Sequence, residues 1–282
     1  MIKVIATDID GTLLNDYGEI TDKNKIALKK ANELGVKILL CTGRGSSAAL
    51  VMKKLEIECG GILSNGVYVF DNLNHPPLIS NYLSNYIFKD IINYLDNYYK
   101  LNYYIVLGYH HDMHMIYKLN FIDNYFINFV NYRKIHKPTY AFNSYIDIND
   151  KTVSHIGIID NFNFLKEVKL NLESIYNKNE INIVLYTAAD IKTYGFLEIM
   201  HPDASKEKAL KKYLESVNLS TENVISIGDN YNDIGLISMA KIGVAVFNSS
   251  DDVKRYAKYI TKYDNNNSAV AEVINTFLFK EF

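Results

Sequence analysis

The chain has 282 residues, 48% of them hydrophobic, and a formal net charge of -2 at pH 7. That length and composition support about two domains of ~150 residues with packed cores, and they exclude global disorder. The near-neutral charge argues against a large nucleic-acid footprint, and no apolar run approaches the ~18 residues of a membrane span.

Residues 4–7 read as the end of a buried strand that runs into Asp8-Ile9-Asp10-Gly11-Thr12. If the backbone stays extended, the Asp8 and Asp10 carboxylates point the same way, because strand side chains repeat every second residue. Gly11 then allows a tight turn. Two acids held side by side repel, so the pair calls for a divalent cation or for a nucleophile beside a proton donor. Ala27, Ala31 and Leu34 mark a helix that Gly35 stops. Residues 36–41 are the next strand and lead into Thr42-Gly43-Arg44. A helix from about Ser46 to Leu55 follows, then a short strand ending in the turn Ser64-Asn65-Gly66. Strands alternating with helices predict right-handed βαβ units and a largely parallel sheet.

The pattern changes near Leu83. Ile87, Phe88, Ile91, Ile92 and Leu95 predict an amphipathic helix. Residues 103–109 and 114–119 read as a hairpin, with 110–113 around its turn. A helix with Phe121, Ile122, Tyr125, Phe126, Phe129 and Val130 on one face comes next, then strand 153–159, helix 165–176 and strand 181–186. This mixture predicts an α+β insert. His110, His111, Asp112 and His114 read first as an exposed turn, with a substrate-facing loop or a metal site as alternatives.

The βα alternation resumes with strand 196–200. Lys206 opens a helix carrying Ala209, Leu210, Tyr213, Leu214 and Val217. Strand 224–227 ends at Gly228-Asp229-Asn230, followed by a helix to Met239, strand 242–246, and an N-cap at Ser250. The last helix spans about 268–279. The start of the chain carries no basic region ahead of an apolar run, so no signal peptide is expected. Cys41 and Cys59 fit neither a metal spacing nor a disulfide framework, and Cys41 reads as a packed thiol. A cytoplasmic, reduced chain is the expectation.

Three strands therefore end in polar clusters: Asp8/Asp10, Thr42/Gly43, and Asp229 with Asn232 and Asp233. In open α/β sheets ligands bind outside the carboxyl ends of strands. Gathered in one crevice with Lys206, these groups supply acids, an amine, a hydroxyl and backbone N–H groups. That inventory suits Mg²⁺-assisted phosphoryl transfer to a carboxylate.

These residues carry a resemblance. Asp8-Ile9-Asp10-Gly11-Thr12, Thr42-Gly43-Arg44, Lys206 and Gly228-Asp229-Asn230-Tyr231-Asn232-Asp233 are similar to the four ordered motifs of the haloacid dehalogenase-like phosphatases. The insert between the second and third motifs, with Ser64-Asn65-Gly66, resembles the Cof-type subfamily with a type IIB (C2B) cap. The resemblance implies an α/β fold: a Rossmann-like parallel sheet core at residues 1–82 and 193–282, and an α+β cap at 83–192. It implies a phosphatase acting on small phosphorylated metabolites, sugar phosphates foremost. A monomer or weak dimer is the default expectation, and charge and hydropathy predict no nucleic-acid or membrane partner. The alternatives are a phosphomutase of the same fold and a non-catalytic binder of phosphorylated metabolites.

The resemblance also implies roles. Asp8 would attack phosphorus, and Asp10 would protonate the leaving oxygen and then activate water. Thr42 and the Gly43 N–H would hold phosphoryl oxygens, and Lys206 would steady nucleophile and phosphate. Gly43, Arg44, Asn65 and Asn232 are the substrate-binding candidates; Arg44 stays open between site support and structural pairing. Mg²⁺ would sit among Asp8, the Asp10 carbonyl and Asp229, with Asp233 in support. The chain departs from the family pattern at Glu207, at Phe247-Asn248-Ser249 and at Asn267-Ser268-Ala269.

Overall fold

A computed structural model of the chain describes residues 1–45, 47–109, 114–142, 148, 151–188, 191 and 193–280. It separates into two compact units, Met1–Ser80 with Ala204–Phe282, and Asn81–Asp203. Among the described residues no helix is long and apolar enough to cross a membrane.

The first unit opens with β1 (Val4–Thr7), buried throughout. In α1 (Asp22–Glu33) the Thr21 hydroxyl accepts the Asn24 N–H, and Asp22 lies in the first turn, where the helix dipole favours an acid. Asn24, Ala27, Leu28 and Ala31 form the buried stripe of that helix at i, i+3, i+4 and i+7. Then come β2 (Lys37–Cys41), α2 (Ala48–Leu55), β3 (Gly60–Leu63) and two short strands, β4 (Tyr68–Phe70) and β5 (Ile79–Ser80).

The second unit comprises α3 (Asn85–Tyr94), β6 (Tyr103–Leu107), β7 (Met115–Lys118), α4 (Asn124–His136), β8 (Thr139–Ala141), β9 (Val153–Asn161), α5 (Phe162–Ile175), β10 (Asn182–Thr187) and β11 (Tyr194–Met200). Its sheet runs β10-β11-β9-β6-β7-β8. Alternation puts Ile105, Ile156, Ile158, Leu197 and Ile199 into one core with Phe88, Ile91, Leu165 and Val168 of α3 and α5. Tyr104, Met115 and Ile159 join Phe126 and Val130 of α4 in another. Phe121 and Ile122, expected on that helix, precede it and are exposed. The Asp123 carboxylate accepts the Phe126 N–H at 2.7 Å and starts the helix after them. β6 and β7 pair antiparallel, as the hairpin pattern predicts. Residues 110–113, and with them the histidine turn apart from His114, lie outside the described residues.

The chain returns to the first unit with α6 (Lys206–Ser216), β12 (Val224–Gly228), α7 (Ile234–Met239), β13 (Ile242–Ala245), α8 (Asp251–Lys254), β14 (Tyr259–Ile260) and α9 (Ala269–Ile274). The large sheet runs β14-β13-β12-β1-β2-β3-β4-β5. Pairing is parallel from β14 to β3 and antiparallel only at β4 and β5. This is the mixed α/β fold with a large parallel sheet.

One strand stands elsewhere than expected. The pattern has the core resume with strand 196–200. Instead, β11 pairs antiparallel with both β9 and β10 and lies inside the second sheet. The core resumes only at Ala204. The physical reason is burial on both faces. Leu197 and Ile199 pack in one layer and Phe196 in the other. A strand covered on both faces reads as a largely apolar run, interrupted here by the buried Glu198, and such runs are the usual signature of a parallel core strand.

Candidate active site

The topology brings three polar clusters to one sheet edge. β1 lies between β2 and β12, both parallel to it, and Thr7 stands opposite Leu40 on one side and Ile227 on the other. The residues just past each strand, Asp8, Thr42 and Asp229, therefore share the carboxyl edge, where α/β sheets place ligands.

Asp8 is nearly sealed from solvent. Its N–H donates to the Ile227 carbonyl at 2.9 Å, which extends the ladder by one residue and fixes the side chain's origin. Lys206 opens α6 and is fully buried despite its charge. Its Nζ donates to Asp8 Oδ1 at 2.6 Å and to Asp233 Oδ1 at 2.7 Å. Asp233 Oδ2 in turn accepts the backbone N–H groups of Asp229 and Asn230, both at 3.1 Å. This folded-back turn requires Gly228: a Cβ there would lie 2.5 Å from the Asp233 Cβ.

Asp8, Asp229 and Asp233 each offer an oxygen within 4.8 Å of the others. With one lysine among three carboxylates the group carries excess negative charge. Burial pushes the Asp8 carboxyl well above the ordinary carboxylate range, against the pull of Lys206, and Asp233 and Asp229 push it further. Burial and then Asp233 raise Asp229 to about 6. Burial opposes the Lys206 ammonium, but Asp233 and Asp8 outweigh it and hold the pKa above its usual value. An all-oxygen, over-charged, poorly hydrated donor set fits a hard divalent cation.

Asp10 stands apart from this group. The extended-backbone expectation has it point with Asp8, but β1 stops at Thr7. The Ile9 carbonyl accepts the N–H groups of Leu13 and Leu14, so the chain is already turning at Ile9. The Asp10 carboxylate is exposed and bound bidentately by Arg44, with Nε to Oδ2 at 2.7 Å. Arg44, left open by the sequence, is thus paired to Asp10.

Thr42 is buried, and its hydroxyl accepts the Arg44 N–H at 3.0 Å. Asn65 is buried in a left-handed conformation (φ 53°), with its N–H on the Thr42 carbonyl at 3.1 Å. Asn232 Nδ2 donates to Asn65 Oδ1 at 3.1 Å. A Cβ on Gly43 would sit 3.3 Å from the Asn65 amide, so this loop is already tight. Asn65 therefore links the Thr42–Gly43 turn to the turn after β12.

Two residues escaped sequence reasoning. The buried Thr12 hydroxyl donates to Asp229 Oδ1 at 2.9 Å. Gly11 (φ 76°) allows that approach, since a Cβ there would meet Asp229 Oδ2 at 2.5 Å. Asn248 Nδ2 donates to the Gly11 carbonyl at 2.8 Å. Thr12 was visible only as part of a motif, and Asn248 only as the middle of a departure from one. Glu207, another departure, packs against the first turn of α7: a Cβ on Gly235 would lie 2.6 Å from its carboxyl carbon.

A family model described as haloacid dehalogenase-like hydrolase matches residues 5–274. The chain is similar to the putative phosphatase YxeH of Bacillus subtilis, at 29% identity over 98% of each chain. It is equally similar to that organism's 5-amino-6-(5-phospho-D-ribitylamino)uracil phosphatase YcsE, at 29% identity over 92% of this chain and 90% of the relative. Among solved structures it shares its fold with the subclass IIB sugar phosphatase BT4131, with a TM-score of 0.74, 22% identity and 98% of each chain covered.

Proposed function

The chain belongs to the haloacid dehalogenase-like hydrolases and is a phosphatase; from that premise we propose that it hydrolyses small phosphomonoesters, sugar phosphates foremost, through an aspartyl phosphate on Asp8 and with Mg²⁺ as cofactor. The observation that carries this reading is the buried Asp8 carboxylate, held by Lys206 at 2.6 Å and flanked by Asp229 and Asp233. A pure binder of phosphate needs no nucleophile.

In the first step an Asp8 carboxylate oxygen attacks phosphorus and the bond to the leaving oxygen breaks. Asp10 gives that oxygen a proton, so the alcohol leaves neutral. In the second step water attacks the phosphorus of the aspartyl phosphate, Asp10 takes the water's proton, and the bond to Asp8 breaks to release inorganic phosphate. Asp8 and Asp10 end as they began. Arg44 binds the Asp10 carboxylate bidentately, so the acid role requires Asp10 to leave Arg44 and take up a proton from solvent before it protonates the ester. Lys206 fixes the orientation of the Asp8 carboxylate and lends positive charge to the transferring group. Thr42 and the Gly43 N–H meet its oxygens, with Asn65 and Asn232 keeping that turn in place. Asp8, Asp229, Asp233 and the Asp10 carbonyl would hold Mg²⁺, whose charge, when bound, offsets the repulsion between carboxylate and phosphate.

Residues 81–203 are assigned to the cap that selects the leaving group. Sugar phosphates are favoured because one relative is named for a ribityl phosphate substrate and a fold neighbour for sugar phosphates. We assign the reaction to the cytoplasm, where the free thiols Cys41 and Cys59 stay reduced. The decisive experiment is Asp8→Asn assayed with a generic aryl phosphate and Mg²⁺. Release of phosphate should be abolished in a variant that still folds; retained turnover sinks the covalent route. A panel of phosphorylated metabolites then ranks the substrates.

A further inference from the structure

The segment after the nucleophile is held by asparagines from a distant part of the chain. Asn248, just past β13, donates from Nδ2 to the Gly11 carbonyl at 2.8 Å, and its Oδ1 accepts the Asn265 N–H at 3.1 Å. Asn265 is buried, and its Nδ2 donates to the Leu14 carbonyl at 3.0 Å and to Asp16 Oδ1 at 3.1 Å. Asn266 pairs with Asp16 twice, donating to Oδ2 at 3.0 Å and accepting the Asp16 N–H at 3.0 Å. Residues 11, 14 and 16 are thus pinned in turn.

The innermost pin matters most. Gly11 is in the left-handed region and its carbonyl belongs to the peptide that leads into Thr12. A rotation of that peptide moves the Thr12 hydroxyl, which holds Asp229 Oδ1 at 2.9 Å. Asp229 is one of the three clustered carboxylates. The placement of Asn248 is itself determined by the fold. β13 lies beside β12, the Val246 N–H donates to the Gly228 carbonyl at 3.1 Å, and the Ser249 N–H closes a turn on the Val246 carbonyl at 2.9 Å. A fourth parallel strand therefore delivers a side chain to the same edge as Asp8, Thr42 and Asp229.

We propose that Asn248 is a positioning residue for the cation site: by fixing the Gly11–Thr12 peptide it sets the orientation of the Asp229 carboxylate. The Asn265 backbone N–H keeps the Asn248 amide turned with its NH₂ toward Gly11. The inference rests on reading Asp8, Asp229 and Asp233 as the Mg²⁺ site. Partners that orient a ligating carboxylate are worth ~10–100-fold in metal affinity when removed.

The test is calorimetric titration of Mg²⁺ into the wild type, Asn248→Ala, Asn248→Asp and Asn266→Ala, with thermal melts as a check on folding. Asn248→Ala should weaken Mg²⁺ binding ~10-fold or more, and its aryl phosphatase activity should return as Mg²⁺ is raised. Asn248→Asp keeps the acceptor for Asn265 but loses the donor to Gly11, so it should fall as far; it also serves as the readout if the alanine variant does not fold. Asn266→Ala removes both hydrogen bonds to Asp16 and leaves the bond from Asn248 to Gly11 in place, so it should bind Mg²⁺ as the wild type does, even where its melting temperature drops. Wild-type affinity in both Asn248 variants overturns the inference alone. So does an equal loss in Asn266→Ala, which marks general loosening. A wild type that neither binds Mg²⁺ nor releases phosphate overturns the cation-site reading along with it.

Discussion

Lys206 and Asp233 meet at 2.7 Å with both side chains sealed from solvent, and the same ammonium reaches Asp8 at 2.6 Å. Removing one member of a buried ion pair costs about 3–5 kcal/mol, because the partners keep charges they cannot hydrate. We expect Lys206→Met to lose stability of that order at pH 8 in metal-free buffer, and to lose phosphatase activity. The loss has a pH signature. Burial already raises the Asp8 pKa, and losing the lysine, which lowers it, raises it further. A carboxyl raised in the fold favours the protonated folded form. The penalty is therefore full above the folded pKa and shrinks as pH falls toward the unfolded value. Urea unfolding at about pH 5 and pH 8 checks this: the gap between wild type and variant should narrow at the lower pH. A gap independent of pH would count against the charge explanation.

The same physics governs cation binding. Asp229 is pushed up to about 6, mainly by burial and then by Asp233. Below that pH protons compete with a cation for the carboxylate; above it the fold holds an ionised group it would rather neutralise. We expect the rise in melting temperature on adding Mg²⁺ to be small at about pH 5, to grow through pH 6, and to level off above about pH 7. A thermal-shift series across that range is the measurement, and a shift that shrinks with rising pH would contradict the sign.

Gly11 is where backbone shape and chemistry meet. With φ at 76° and Asp229 Oδ2 within 2.5 Å of any added Cβ, Gly11→Ala must displace either the turn or the carboxylate. The left-handed backbone alone costs about 1–2 kcal/mol for a residue with a side chain. We expect Gly11→Ala to lose at least that in unfolding free energy, and to weaken Mg²⁺ affinity through Asp229. Calorimetry that finds wild-type Mg²⁺ affinity in a destabilised variant would show that the turn yields and Asp229 does not.

How much of this was legible in sequence follows from what each signal depends on. Asp8, Thr42 and Asp229 were readable as a set, because an apolar run ending in a polar residue marks a strand's carboxyl end, and parallel pairing gathers such ends on one edge. Asp10 was readable as an acid but not as Arg44's partner, since that depends on the strand ending at Thr7 rather than continuing two residues further. The sheet that β11 joins is not legible, because a strand buried on both faces carries no mark of its partners. Asn248 and Asn265 were opaque for another reason. Asparagine is frequent in this chain, and nothing local separates the one that holds Gly11 from those in solvated loops.

His155 gives the second unit a pH dependence of its own. It lies on β9, buried, with Nδ1 3.1 Å from the Ser154 hydroxyl and its ring edge-on to Tyr104. Glu198 on β11 stands 4.0 Å from Nε2 and also accepts the Tyr186 hydroxyl from β10 at 2.9 Å. Burial lowers the His155 pKa; Glu198 pulls it up, and Arg133 on α4 adds to the lowering. The net direction is down, so the fold favours the neutral ring. Stability from this group is complete above the unfolded value near 6.5 and is lost as pH falls through the lower folded value. We expect His155→Gln to flatten the decline in unfolding free energy below about pH 6.5, measured by urea denaturation from pH 5 to 8 against the wild type. Groups common to both proteins drop out of the difference. If the variant instead steepens the acid decline, Glu198 outweighs burial and the histidine is charged in the native state.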